Sequence, residues 1–252
     1  MRNSFCFLLP ILILILALSH KLAQAASSIP QLSFANNAIG TTGGDKFIEV
    51  MTGRLYDPEA VLSLCAHFVP NTLYVAAHRP VIQKIKWTVT SHDLVVNPPI
   101  ATLETDKNDG ASVIDLDAGY VASFEATNTQ VAHDIVSVLY YMMTALYLSE
   151  SQLQEPQPTG LLSGIGAYMQ IVRNLEPSYW EPRGSGTFFD DGDGITGYFL
   201  EYCAGRTDQF VSKLINLMQK RPYDNNYFDE LVFEDVFRLW DDYRLQYGTN
   251  KR

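Results

Sequence analysis

The residues able to do chemistry in this chain are few, and their spacing decides which chemistry is open to them. Beyond residue 25 the histidines are His67, His78, His92 and His133. A catalytic zinc takes about three N, O or S ligands and keeps one position open for water. A helix supplies two of them when they stand at i and i+4, on one face. None of the four histidines has another ligand type at that spacing, and His133-Asp134 are adjacent, so they diverge on a helix. The acidic run Asp190-Asp191-Gly192-Asp193-Gly194 raises calcium instead. Setting the EF-hand glycine at Gly194 puts Phe189 at the first ligand position and Leu200 where the bidentate glutamate belongs. That frame fails, and the run reads as a solvated turn capping the helix that follows. Leu162-Ser163-Gly164 is no nucleophile elbow, because it lacks the G-x-S-x-G pattern and falls inside a predicted helix.

The elements that would position these groups change character along the chain. Residues 27–44 are polar and rich in Gly, Asn and Thr, which predicts an extended entry and a turn. Asp57-Pro58-Glu59 starts a helix with a cap, a proline at its first position and an early acid. Lys84 to Thr90 alternates strictly and reads as a half-buried strand, and Ser112 to Leu116 reads as a second one. Helical spacing then dominates. Val131, Ile135, Val138, Leu139, Met142, Met143 and Leu146 mark a helix over Gln130 to Ser149, and a second follows from Leu161 to Arg173. Further helices are predicted from Ile195 to Cys203, Asp208 to Met218 and Asp229 to Tyr247. Strands first and helices later predict an α+β domain with a small twisted sheet in its N-terminal half and a mostly helical C-terminal half.

Two of these helices carry the most informative motifs. Leu139-Tyr140-Tyr141-Met142-Met143-Thr144-Ala145 and Gly160-Leu161-Leu162-Ser163-Gly164-Ile165-Gly166-Ala167-Tyr168 resemble segments of the plant basic secretory proteins, whose members read L-Y-H-E-x-T-H and G-L-I-E-G-I-A-D-Y there. Asn36 to Gly44, Ile114 to Tyr120, Pro177-Ser178-Tyr179-Trp180, Phe199 to Cys203 and Leu239 to Tyr243 extend the resemblance, in order, from about Leu32 to Tyr247. It implies a zincin-like metallopeptidase fold. It also implies that the chemistry has gone. Tyr141 and Ala145 stand at the two histidines, Met142 at the glutamate base, and Ser163 and Ala167 at the downstream carboxylates. A tyrosine whose phenol has an ordinary pKa of about 10 is a poor zinc ligand at neutral pH, so no metal and no cofactor are expected.

Residues 1–25 read as a signal peptide: Arg2, an apolar run from Phe5 to Leu18, and Ala23-Gln24-Ala25 as cleavage site. The run is shorter than the ~20 residues that span a bilayer, and no later segment is expected to span one. The mature domain, 26–252, is expected to be secreted, into the apoplast if the resemblance holds. Without Arg2 and Lys21 it keeps 16 basic against 28 acidic residues, a net charge of −12. That charge argues against nucleic-acid partners, whose phosphates recruit lysine and arginine. Cys65 and Cys203 remain; an exported compartment permits a disulfide between them, and two buried thiols are the alternative.

The resulting expectation is a secreted non-catalytic protein of this family, linked to defence or stress, that holds a peptide, protein or glycan. Tyr140, Tyr141, Tyr147 and Tyr168 would line its cleft, since tyrosine offers contact area with a polar end. The competing expectation is filling, with Tyr141 and Met142 occupying the volume that ligands and water left. Two further alternatives are an active metallopeptidase with displaced ligands and an inert duplicate.

Overall fold

The computed structural model describes residues 29–92, 98–125 and 127–248; the expected signal peptide, residues 1–25, lies outside them. The strands are β1 (Gln31–Asn36), β2 (Lys84–Thr90), β3 (Ala101–Thr105) and β4 (Ser112–Asp117). They form one sheet in the order β1-β2-β4-β3, in which β1 and β4 run parallel to β2 and β3 runs antiparallel to β4. The strict alternation of β2 is realised: Ile85, Trp87 and Val89 are buried, while Lys86, Thr88 and Thr90 face the opposite side. Trp87 meets Phe34 of β1 at 5.2 Å between ring centroids.

A parallel pair needs a crossover. The one between β1 and β2 runs through α1 (Thr42–Val50), α2 (Gly53–Tyr56) and α3 (Pro58–Leu73). Asp57 caps α3, accepting from the Ala60 amide at 2.8 Å. The expected entry segment is extended only as far as Asn36; α1 begins inside it, capped by Thr41, whose hydroxyl accepts from the Gly44 amide at 3.1 Å. Gly43 and Gly44 are packing residues rather than turn residues. A side-chain carbon on Gly43 would lie 1.7 Å from the Ala118 carbonyl oxygen, and one on Gly44 1.9 Å from that of Ala38.

The second half is helical: α4 (Ala118–Ala122), α5 (Asn128–Ser149), α6 (Thr159–Val172), α7 (Asp193–Ala204), α8 (Phe210–Lys220), α9 (Asn226–Val232) and α10 (Val236–Tyr247). The single helix expected over Asp229 to Tyr247 is two. Phe233 takes the left-handed region (φ +59) and ends α9, and Asp235 caps α10 by accepting from the Phe237 amide at 3.0 Å. By length and composition α5 could cross a membrane, contrary to the expectation that no later segment could. Its apolarity has another cause: it is the central helix, packed on α3, α6 and the sheet.

Cys65 in α3 and Cys203 in α7 are both buried and both free, so the permitted disulfide is not formed. The Cys65 thiol lies 3.7 Å from the Leu139 carbonyl of α5. Burial pushes both thiols up, which makes them inert packing groups.

Candidate functional site

The second motif helix, α6, meets its neighbours through residues without bulk. A side-chain carbon on Gly160 would come within 1.8 Å of the Asp190 carbonyl oxygen, and one on Gly164 within 2.2 Å of the Thr196 methyl, so α6 lies directly against the start of α7. Gly166 performs a different task. A carbon there would fall 2.8 Å from two ring atoms of Tyr141, so the phenol lies across the space that this glycine leaves.

Tyr141 is the centre of the site. Its hydroxyl donates to Asp193 Oδ1 at 3.4 Å, and the Asp193 amide donates to Ser163 Oγ at 3.1 Å. Ser163 Oγ in turn donates to the Gly160 carbonyl at 3.2 Å. Burial, and after it the Asp193 charge, push the Tyr141 phenol up to about 12, so it is neutral at physiological pH. Asp193 itself is exposed and left-handed, with φ +38. The acidic run does form a turn, but its carboxylates do not cap α7. Asp191 closes the preceding loop by accepting from the Thr187 and Phe188 amides at 2.6 and 3.0 Å, and Gly192, at the cap position before α7, offers it no side-chain cap.

The Tyr141 ring stands between two cavities. On one side is a crevice of about 380 Å³ lined by Ala145, Ser163, Leu148 and Leu153. On the other is a groove of about 350 Å³ between α5 and the start of β3. Val138, Met142 and Ile100 supply its apolar walls, Tyr179 and Trp180 its aromatic ones; Asp193 and Gln170 are its polar residues. Tyr141 lines both cavities, and Met142 lines only the groove.

The structure gathers some of the expected positions and disperses others. Tyr141, Ala145 and Ser163 share the crevice, and Met142 faces the groove. Ala167 belongs to neither: it is fully buried against Gly197 of α7, where an added carbon would come within 2.8 Å of it. Of the four tyrosines expected to line one cleft, only Tyr141 lines the groove. Tyr140 is buried edge-on against Phe68 at 6.0 Å, and Tyr147 lies 6.5 Å from Tyr74 on the same side of α5. Tyr168 is half-buried towards Glu201. The reason is helical phase: neighbours in sequence sit about 100° apart. Sequence reasoning missed Gln170 and Ile100 as groove residues. Tyr179 and Trp180 were visible only as a motif, and Asp193 only as part of a turn.

The donor set also tests the zinc that the resemblance implies. The polar side chains lining the two cavities are the carboxylates of Glu155 and Asp193, the hydroxyls of Ser149 and Ser163, the phenols of Tyr141 and Tyr179 and the amides of Gln152 and Gln170, with no imidazole or thiolate. Among the described residues no three His, Cys, Asp or Glu side chains converge on a metal position. These residues do not fit a catalytic zinc. His92 does meet two carboxylates, at 3.3 Å from both Asp115 and Asp117. The second oxygen of each carboxylate is already committed: Asp115 Oδ1 accepts from Thr88 and from Thr90 (2.7 Å), and Asp117 Oδ2 from the Tyr120 amide at 2.9 Å. The cluster fastens the ends of β2 and β4.

No curated protein and no solved structure matches the chain. A family model described as BSP, peptidase of plants and bacteria, matches residues 29–243, which include the sheet, both motif helices and the groove. The chain belongs to the BSP family, the peptidases of plants and bacteria.

Proposed function

We propose that this BSP-family member is a secreted, catalytically inactive form of a zincin-like peptidase that binds a peptide in the groove beside Tyr141. The observation that carries the reading is the state of Tyr141: a neutral phenol held between Gly166 and Asp193, with an open groove next to it. A peptidase of this type needs a metal-bound water and a base to activate it, and the positions matched to those roles are Tyr141, Ala145 and Met142. Binding needs only the cavity and its lining, and both are present. A groove with apolar walls and a few polar groups is the usual form of a ligand site. Export, and a role in defence or stress, are parts of the same proposal; they rest on the leader-like residues 1–25 and on the resemblance.

Elemental analysis of the purified protein for zinc, run beside a cleavage assay on a generic protein substrate, tests the catalytic half. The expected result is no stoichiometric zinc and no chelator-sensitive cleavage. About one zinc per chain with chelator-sensitive cleavage would instead establish an active peptidase with displaced ligands. Titration with short peptides tests the binding half; failure to bind any of them would leave an inert duplicate.

A further inference from the structure

The groove beside Tyr141 offers a ligand an unusual selection of groups. Its charged lining residue is Asp193, and none of its lining residues is Lys, Arg or His. Asp193 is exposed and, among the described residues, forms no ion pair; it accepts the Tyr141 hydroxyl from 3.4 Å. Gln170, 5% exposed, lines the same groove. Its amide nitrogen donates to Ser137 Oγ at 2.8 Å and to the Ser137 carbonyl at 3.2 Å. Ser137 Oγ gives its own proton to the Leu175 carbonyl at 2.6 Å, so towards Gln170 it can only accept. That fixes the orientation of the amide and leaves Gln170 Oε1 buried with no donor. A buried acceptor left unpaired costs free energy, and an N–H group that reached it from the groove would supply the missing partner.

The rest of the lining points the same way. Tyr141, Tyr179 and Trp180 present aromatic rings, and Tyr179 is 74% exposed. The Tyr179 phenol is raised first by desolvation and then by the nearby charges of Asp193 and Asp134. Acceptors, ring faces and nearby carboxylates, with apolar walls from Ile100, Val138 and Met142, suit a planar cation on an aliphatic stem. A guanidinium has five donors and no acceptor, stacks on aromatic faces and remains charged at any physiological pH. Its stem is apolar, which suits the walls. A carboxylate ligand would meet Asp193 with like charge and find no cationic side chain among the lining residues.

Resting on the binding reading above, we propose that the groove is a recognition site for the arginine side chain of a peptide, with Asp193 as its ionic partner and Tyr179 and Trp180 as its stacking faces. The overall acidity of the chain, −10 in net charge, favours such partners at long range, so the test must separate the groove from the bulk charge. Three acetylated, amidated alanine-based peptides, identical except for a central Arg, Leu or Glu, are titrated by calorimetry against the full-length mature protein. The Arg peptide should bind at least about tenfold tighter than the other two. Asp193→Asn should remove most of that advantage, because asparagine keeps the left-handed backbone while losing the charge. Asp241→Asn, the same charge change at an exposed position of α10, should leave it. Tyr179→Ala, at an exposed side chain that carries little of the fold, should weaken the Arg peptide several-fold. An Arg preference that survives Asp193→Asn, or that falls equally with Asp241→Asn, assigns the effect to bulk charge and overturns the proposal. Equal binding of the three peptides, weakened by Tyr179→Ala, overturns the arginine preference while keeping the groove as a binding site. Absence of binding by all three removes the proposal and the binding reading together.

Discussion

Tyr140 and Tyr141 are neighbours in α5 and belong to different parts of the molecule. Tyr140, with Tyr147, faces α3 and is 2% exposed. Its ring is packed on Phe68, and the Arg173 guanidinium lies over both rings, at 5.4 Å from Tyr140 and 4.8 Å from Phe68. Tyr141 faces α6 and the groove, is half-buried, and has a cavity on either side. One face of the helix is buried and apolar, with a cavity of about 270 Å³ reaching it at Tyr147. The opposite face holds Met142, Ala145 and Tyr141 in loose surroundings, beside an aspartate with a left-handed backbone and a glutamine with an unpaired oxygen. Close packing accounts for the fold, and side chains held loosely beside unpaired polar groups are where a ligand has something to gain. The same helix is therefore structural on one side and available for function on the other.

The contrast is broken most severely by refilling the loose face with metal ligands. Tyr141→His and Ala145→His would place two imidazoles at i and i+4 on the crevice side of α5. The structure selects the third position. Ser163 lines the crevice and Ala167 does not, so Ser163→Glu completes the set and Ala167→Asp does not. The first triple variant should bind about one zinc per chain, at micromolar or tighter dissociation constant, or about 8 kcal/mol; the second should not reach this. Competition against a zinc indicator would read the difference. Equal affinity in the two variants would mean that the crevice does not orient the ligands as described.

Truncation measures the same contrast in stability. Tyr147→Ala removes a buried ring and should cost about 3–5 kcal/mol, the range for large buried aromatic side chains. Tyr141→Ala joins two existing cavities rather than creating one in a packed core, and should cost about 1 kcal/mol. Urea denaturation of the two variants gives both values. Similar losses would make Tyr141 a core residue and the groove an accident of packing.

Much of this contrast was legible in the sequence, and the part that was not has a physical cause. The strict alternation from Lys84 to Thr90 and the Asp57-Pro58 start identified β2 and α3 because those signals are local. The periodic apolar residues found α5 because burial on three sides leaves a long pattern. The break at Phe233 escaped because a left-handed residue there follows from tertiary packing, and aromatic residues do not announce it. The helix α1 escaped because Gly43 and Gly44 look like turn residues until Ala118 and Ala38 are seen beside them. At the site, the residue types at positions 141, 142, 145 and 163 were readable one by one. Which tyrosines share a cavity was not, since that depends on helical phase and on what packs opposite. Gln170 gave no signal at all: its significance comes from a hydrogen bond that it lacks.

The finest test uses protons. The phenols of Tyr141 and Tyr147 are both pushed up to about 12, for both chiefly by burial, but only Tyr141 owes a further part to the Asp193 charge. A negative neighbour disfavours the phenolate, so removing it must lower the pKa. Asp193→Asn should therefore lower the Tyr141 titration and leave that of Tyr147 in place, as read from the ring carbons of labelled tyrosine by NMR. The linkage has a definite sign. Each phenol is raised above its unfolded value of about 10, so its contribution is intact below pH ~10 and is lost as the pH climbs towards 12. Asp193→Asn should narrow that window for Tyr141 alone, so the variant should lose slightly less stability than the parent between these limits. A matching shift at Tyr147 would mean that the two faces of α5 are electrically one environment, and the division between packed and available faces would fail at this level.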